Sequence, residues 1–465
     1  MTKHDTGPQG PGAIEHLADW ALAFRSSDVP KAAIEQAGML LLDTLGCGIA
    51  GLDDHIAEAV IEAIGDIGGN PACSIIGTNK KTSVPNAVLI NGLLIRVLDL
   101  NDYVIDAKGA IGGHPSDIIP VALAAGEFAG SSGRDVLAAV VLGYELYGRC
   151  KDMMERGSAW DGASLTGFVA PVMAGWLLKL DRDALANAIA LSVARAATSA
   201  VVRTGDISAA KSLASALVAE SGVQAALMAR RGVTGPLPVM EHRRGMKAVF
   251  PNFDREMLVA PMPADSYIMK SNIKAYPCVV TAQAAVAAAL ALHPLTRGID
   301  TIENLRVVMP DTPTVRTHQA DKERADPRSR EAADHSIQFV IAAAIADGTF
   351  GLPQFDGERW NDPRLRGLMA RMEMATDPEL TRRAPGSFSC RLEATMKDGT
   401  RKQTEVLYAP GFSRDGLDAA SIMSKFASLT PRQSPQWRQN VIAAATGLDG
   451  SPSLSPLFKA LSAGS

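Results

Sequence analysis

The chain is short of several features that would settle its class at once. Of its 465 residues only five are cysteine. Cys47, Cys73, Cys150, Cys278 and Cys390 are scattered, odd in number and without a Cys-x-x-Cys pair, which argues against a disulfide framework or a structural zinc site. Aromatics make up only 5%, and the short basic clusters Arg230-Arg231, Arg243-Arg244 and Arg382-Arg383 have none interleaved. With a net charge of −4 there is no general pull toward nucleic acid or an anionic membrane. The segment from Met1 to Ala13 is polar and rich in Gly and Pro, so no secretory signal is visible. Apolar stretches such as Val136 to Gly143 fall short of a membrane span. These deficits point to a cytoplasmic protein that binds neither nucleic acid nor membrane.

What is abundant is small and apolar. Hydrophobic residues reach 47% against 21% charged, and alanine recurs in runs such as Ala284 to Ala289. Alanine costs least in a helix, so the composition leans to a mostly α fold, and the length suggests two or three domains. After a polar tail of about twelve residues, apolar side chains recur at helical spacing at Ile14, Leu17, Trp20, Ala21 and Phe24, and again from Ile34 to Ile49. Ser83-Val84-Pro85 reads as a cap followed by an early proline. Further helices are expected over 116–128, 134–150, 165–180, 182–197 and 208–231. The texture changes after Pro261-Met262-Pro263. Asn304 to Met309 reads as a strand. Phe388 to Met396 alternates, with Cys390, Leu392, Ala394 and Met396 on one face, and an Asp398-Gly399 turn leads to a second strand, Arg401 to Tyr408. With helices near 279–292 and 336–347, residues 272–409 form a smaller α/β unit. Helical patterns return over 417–429 and 435–445. Residues 1–271 and 410–465 would then make one large all-helical domain, built from both termini.

Gly46-Cys47-Gly48-Ile49-Ala50-Gly51 matches the dinucleotide-binding glycine pattern. The preceding residues fit a helix, Asp43 would sit inside the supposed strand, and no ribose-binding acid follows. Small residues that let helices approach explain the motif better. A second cluster has more chemistry in it: Leu98-Asp99-Leu100-Asn101-Asp102, followed by Gly113-His114-Pro115-Ser116-Asp117. A spacing of three puts Asp99 and Asp102 on one side of a helix ending there. His114 stands before a helix capped by Ser116, whose positive end would keep the imidazole neutral near physiological pH. A carboxylate beside it could orient it for proton transfer. A capped turn with a hydrogen-bonded histidine explains the same residues. A metal bound by Asp99, Asp102 and His114 lacks a second histidine at ligand spacing. Lys211, on an apolar helix, and Lys274, where the two units meet, would suit an anion held between domains, although either alone reads as a surface lysine.

Several segments taken together resemble the MmgE/PrpD family. They are Leu42 to Cys47, Leu98 to Asp102, Gly113 to Asp117, Gly143-Tyr144-Glu145, Gly232 to Pro236, Lys274 to Pro277, and Ala333-Asp334-His335-Ser336-Ile337-Gln338. Their order and spacing run along nearly the whole chain. The resemblance implies a discontinuous helical domain with a central α/β lid, a homodimer and no cofactor; no metal is expected, for want of that second histidine. It also implies a small di- or tricarboxylate substrate. Catalysis would fall to Asp99, His114, Lys211 and Lys274, and substrate binding to Asp102, Tyr103, Tyr276, His335 and Gln338. The last motif looks most like the dehydratase branch, which makes the expected activity that of a hydro-lyase. Epimerase, isomerase or decarboxylase chemistry at the same site, or an inactive dimeric scaffold, are the alternatives. Three departures stand out: Gly162 where the family commonly has a histidine, Phe339 where a tyrosine is usual, and a longer loop between Asp102 and His114.

Overall fold

The computed structural model describes residues 11–105, 111–155, 159–204, 207–246, 250–412 and 417–462. Most of the expected N-terminal tail and the middle of the Asp102–His114 loop lie outside them. The first half of the chain is carried by α1 (Ala13–Ala23), α2 (Lys31–Ala50), α3 (His55–Ile67), α4 (Val84–Arg96), α5 (Ile119–Ala129), α6 (Gly133–Met153), α7 (Thr166–Leu177), α8 (Arg182–Val193) and α9 (Ala210–Ala229). Several begin where a side-chain acceptor meets the unpaired amides of a first turn. Asp54 accepts from Ile56 at 2.9 Å, Ser132 from Asp135 at 3.1 Å and Asp181 from Ala184 at 2.8 Å. Pro171, inside α7, has no amide to offer the Gly167 carbonyl. The Ser192 hydroxyl of α8 donates to that carbonyl at 2.6 Å, so a neighbouring helix satisfies the group.

Small residues set how closely the helices approach. A Cβ at Gly92 of α4 would lie 2.8 Å from the Cβ of Ala216 on α9, and one at Gly51 would lie 2.2 Å from the Leu94 carbonyl oxygen. Gly46 and Gly48 sit inside α2 against Phe426, Ile76 and Ile95. The glycine pattern is thus a packed helix, as its sequence context indicated. By length and mean hydropathy, the segment Lys31–Asp53 and α9 would both suffice to cross a membrane, longer than the apolar stretches singled out in the sequence. The apolar window of the first is 83% buried among its neighbours, as a core helix is, and that of α9 56%.

One large hydrophobic cluster joins α1, α2 and α5 to α8 with Ile422, Phe426, Trp437 and Val441 from the C-terminal helices Ala419–Leu429 and Pro435–Thr446. Another joins Tyr103 to helices Gln283–Thr296 and Ile337–Asp347 and to one face of a four-stranded sheet. That sheet has the order β7-β6-β8-β9, from β6 (Ile302–Pro310), β7 (Met372–Asp377), β8 (Cys390–Met396) and β9 (Arg401–Val406). The residues expected on the inner face of β8 are the buried ones, and β8 turns into β9 through Gly399 at φ 82°. β7 pairs parallel to β6 at the sheet edge and was not foreseen, because its half-exposed residues give no alternation.

The fold is mostly α, but its helical part is not all-helical. β1 (Cys73–Ser74) pairs with β2 (Lys81–Thr82), and β3 (Tyr103–Ile105) lies between β4 (Ile111–Gly113) and β5 (Ser271–Asn272). Strands of two or three residues are too short for a period to register in sequence. The second of these sheets builds the candidate site.

Candidate functional site

β3 follows directly on the Leu98–Asp102 segment. On one side β4 pairs antiparallel to it, Val104 opposite Gly113, which delivers His114 to Asp102. On the other, β5 pairs Tyr103 with Asn272, which brings Lys274 back alongside Asp99. Residues far apart in sequence are thus placed on either side of one short segment.

That segment is not the helix end expected. α4 stops at Arg96, and Asp99 takes φ 50°, a left-handed backbone that costs a non-glycine residue roughly 1–2 kcal/mol. The two aspartates therefore do not share a helix face. The Asp99 carboxylate bonds Arg96, stands 3.0 Å from the Lys274 ammonium and 4.0 Å from that of Lys211. Lys274 also donates to the Asp99 carbonyl at 2.8 Å. Burial alone would raise the Asp99 pKa, but the three cations hold it well below the usual carboxylate range. Asp102 turns the other way: its Oδ1 accepts the Ser116 amide at 3.0 Å and its Oδ2 the Tyr144 hydroxyl at 2.9 Å. With no cation in direct contact among the described residues, its burial pushes its pKa up to about 7.

Two further expectations need correcting. Ser116 does not cap a helix by its side chain; it lies inside the 3-10 turn Pro115–Ile118, where its hydroxyl accepts from Asn101 at 2.9 Å and Asp102 receives the turn's amide. Nor does the Asp99 carboxylate orient His114. The Nδ1 of His114 lies 2.6 Å from the carbonyl oxygen of Asp102. A carbonyl can only accept, so Nδ1 carries the proton in this hydrogen bond. Burial, with Arg96 and Lys274 nearby, lowers the His114 pKa well below its ordinary value and keeps the ring neutral. Nε2 is then the basic nitrogen.

Lys211 opens α9, and its ammonium lies 3.2 Å from Asp334 Oδ1 and 3.2 Å from His335 Nδ1. Asp334 and His335 also bond each other, just ahead of the helix that Ser336 caps through the Phe339 amide. Burial lowers the Lys211 pKa; it brings Lys274 down to about 8, and, with Lys211 adjacent, His335 to about 4. Arg96, Asp99, Lys211, Lys274 and Asp334 are each at most 2% exposed, so this is an ion cluster taken out of water. Asp99, Asp334 and His335 offer ligand atoms within 4.8 Å of one another. The Lys211 ammonium already stands beside two of them and Lys274 beside the third, so a divalent cation would meet like charge at short range.

The remaining candidates divide. His335 joins the cluster directly. Tyr103 is buried in the second hydrophobic cluster, and burial raises its pKa. Tyr276 is half-buried, its ring edge-on to Phe350 at 6.4 Å and its backbone held by Gln283. Gln338 lies half-buried in the first turn after Ser336 and adds no hydrogen bond to the cluster among the described residues. Phe339 points into apolar core, 5.7 Å from Phe355. Gly162 begins a 3-10 turn capped by Asp161, and a Cβ there would meet nothing within 4 Å. Sequence reasoning passed over Arg96, Tyr144 and Asp334 as site residues. Arg96 did leave a signal, as the one charged residue at the end of an otherwise uncharged helix.

Residues 15–255 match the MmgE/PrpD N-terminal domain and residues 276–448 the MmgE/PrpD C-terminal domain. The chain belongs to the MmgE/PrpD family. It is 28% identical over 442 residues to the 2-methylcitrate dehydratase of Cupriavidus necator, covering 89% of each chain. It is 26% identical over 449 residues to the cis-aconitate decarboxylase of Mus musculus, covering 89% of this chain and 85% of that one. A cis-aconitate decarboxylase-like protein of Aspergillus oryzae is 25% identical over 443 residues, with 89% of each covered.

Proposed function

We propose that the protein is a hydro-lyase of the 2-methylcitrate dehydratase type, acting on a small di- or tricarboxylate without a cofactor. The observation that carries this reading is the neutral imidazole of His114, fixed by the Asp102 carbonyl with Nε2 left basic, near the buried cations of Arg96 and Lys274, with Lys211 4.0 Å from the Asp99 carboxylate that both of them contact. A base beside concentrated positive charge is what removal of a proton next to a carboxylate requires. Nε2 of His114 takes the proton as the C–H bond breaks. The electron pair moves into the adjoining carboxylate, whose negative charge Lys211 and Lys274 stabilise. Expulsion of the β-hydroxyl then forms the alkene, and the proton on His114 leaves with it as water. Asp99 holds the two lysines in place, and Asp102 serves as a supporting polar residue. Preorganised charges of this kind supply several kcal/mol, about 3–4 for a single donor.

Two of the relatives are named as decarboxylases or decarboxylase-like, which favours decarboxylation as the second reading. It develops the same negative charge beside a carboxylate, but loses carbon dioxide in place of water. The reading also takes the protein as a cytoplasmic homodimer, with residues 272–409 acting as a lid on 1–271 and 410–465 and excluding bulk water when closed.

The test is purified protein against citrate, methylcitrate, cis-aconitate and iminodisuccinate stereoisomers. A conjugated alkene signals dehydration, carbon dioxide signals decarboxylation, and deuterium exchange without net product signals epimerisation. With the active substrate, His114→Gln is expected to lower kcat by at least about 100-fold. Binding with near-full turnover in that variant would overturn the role given to His114. Silence across the panel with no thermal shift would favour the scaffold.

A further inference from the structure

Lys425 lies on the C-terminal helix Ala419–Leu429, far in sequence from every residue assigned to the site. Its side chain is only 8% exposed and its ammonium makes two contacts. One is to Asp43 Oδ1 of α2 at 2.7 Å, a carboxylate that is itself fully buried. The other is a hydrogen bond of 2.8 Å to the carbonyl oxygen of Leu100. Leu100 stands between Asp99, with its left-handed backbone, and Asp102, which carries the opposite face of the site. The preceding carbonyl, that of Asp99, is held by Lys274 at 2.8 Å. Two ammonium groups from different parts of the chain therefore grip consecutive carbonyls of one short segment.

A backbone held in a sparsely populated conformation persists only where its surroundings over-determine it. Lys274 lies in the candidate site and would have to engage substrate. Lys425 is turned toward Asp43 and serves the segment from behind. The position of Lys425 is fixed in turn by Phe426, which packs against Gly46 of α2 and stacks on Trp437 at 6.0 Å.

We propose that Lys425, paired with Asp43, is a positioning residue: it locks the Leu98–Asp102 segment so that Asp99 faces the site lysines and the Asp102 carbonyl faces His114. It acts through the backbone and touches no substrate. The inference rests on the proposed function only for its kinetic consequence, and the lock itself can be measured without turnover.

The experiment compares wild type, Asp43→Asn, and the double variant Asp43→Asn/Lys425→Met by hydrogen–deuterium exchange, following a peptide that spans 97–104. Removing both charges avoids leaving a buried carboxylate unpaired, which would by itself destabilise the fold. Asp43→Asn leaves an amide oxygen to accept from Lys425 and keeps the Leu100 bond, so the segment's slow exchange should persist even where the unpaired ammonium lowers global stability. The double variant should exchange there at least tenfold faster, while peptides from α6 and β8 stay at wild-type rates. On whichever polycarboxylate the wild type turns over, kcat should fall 10- to 100-fold in the double variant, with KM within threefold. Unchanged exchange at 97–104 overturns the lock, and faster exchange with unchanged kcat overturns its positioning role. A wild type inactive on every polycarboxylate refutes the proposed function instead, and exchange then decides the lock alone. Should the double variant not fold, Asp43→Asn/Lys425→Gln carries the same expectation, since glutamine is too short to reach Leu100.

Discussion

Asp102→Asn changes one buried carboxyl with almost no change of shape, and its effect on stability should depend on pH in a definite direction. The asparagine oxygen can still accept the Ser116 amide, and its NH2 can donate to the Tyr144 oxygen once the phenol proton turns away. In the folded protein Asp102 has its pKa pushed up to about 7 by burial, against about 3.9 for an unfolded aspartate. Between those values the folded state binds the proton and the unfolded state does not, so stability falls as pH rises through that window. The contribution is fully present below about pH 4 and gone above about pH 7. Three units at about 1.4 kcal/mol each give a swing of about 4 kcal/mol, of which about 3 falls between pH 5 and 8.5. Asparagine does not titrate, so the variant should gain on the wild type by that amount as pH rises. For 465 residues, at about 2.1 cal/mol/K each, the entropy of unfolding is about 1 kcal/mol/K, which makes the relative shift about 3 °C in Tm. Melting both proteins by circular dichroism in half-unit steps from pH 5 to 8.5 measures it. Parallel curves for the two proteins would refute the argument, because they would mean that Asp102 is ionised in both states throughout.

Burial brings Lys274 down to about 8, so affinity for a tricarboxylate should decline above that pH toward tenfold per unit. Titration calorimetry from pH 6.5 to 9.5 checks it, and a flat profile would remove Lys274 from the binding role. Gly113→Ala should cost about 2–4 kcal/mol, since the residue has φ 97° and a Cβ there would lie 2.4 Å from the Tyr147 hydroxyl. Because His114 follows it directly, turnover should fall as well, and an unchanged melting curve with full activity would contradict the geometry. Gly162→Ala and Gly162→His should each stay within about 0.5 kcal/mol of wild type in urea melts, as the Cβ direction is open.

What the sequence made legible was local. Strand β8 shows its inner face by strict alternation, and the helix from Val84 is announced by a serine followed by a proline. His114, Lys211, Lys274 and Asp99 are the candidates that the sequence singles out, and the structure brings them together with His335. How they meet was not legible. Asp99 and Asp102 have helical spacing, yet the chain leaves the helix at Arg96 and the two carboxylates diverge. The sheet that aligns Lys274 and His114 with this segment has strands of two or three residues, too few to carry a period. Lys274 meets the Asp99 carbonyl across 175 positions, a pairing that no window of local pattern contains.

The tether from Lys425 to Leu100 spans 325 positions of the chain. At roughly 5–20 residues per second, a ribosome takes roughly 16–65 s to travel that distance. Throughout that interval α4 can form and pack, but the turn after it has no C-terminal anchor. Asp43 must likewise stay hydrated, or keep its proton, until its partner emerges. Much of the helical scaffold can therefore pack while the nascent protein still lacks its finished site, which waits for the segment that carries Lys425.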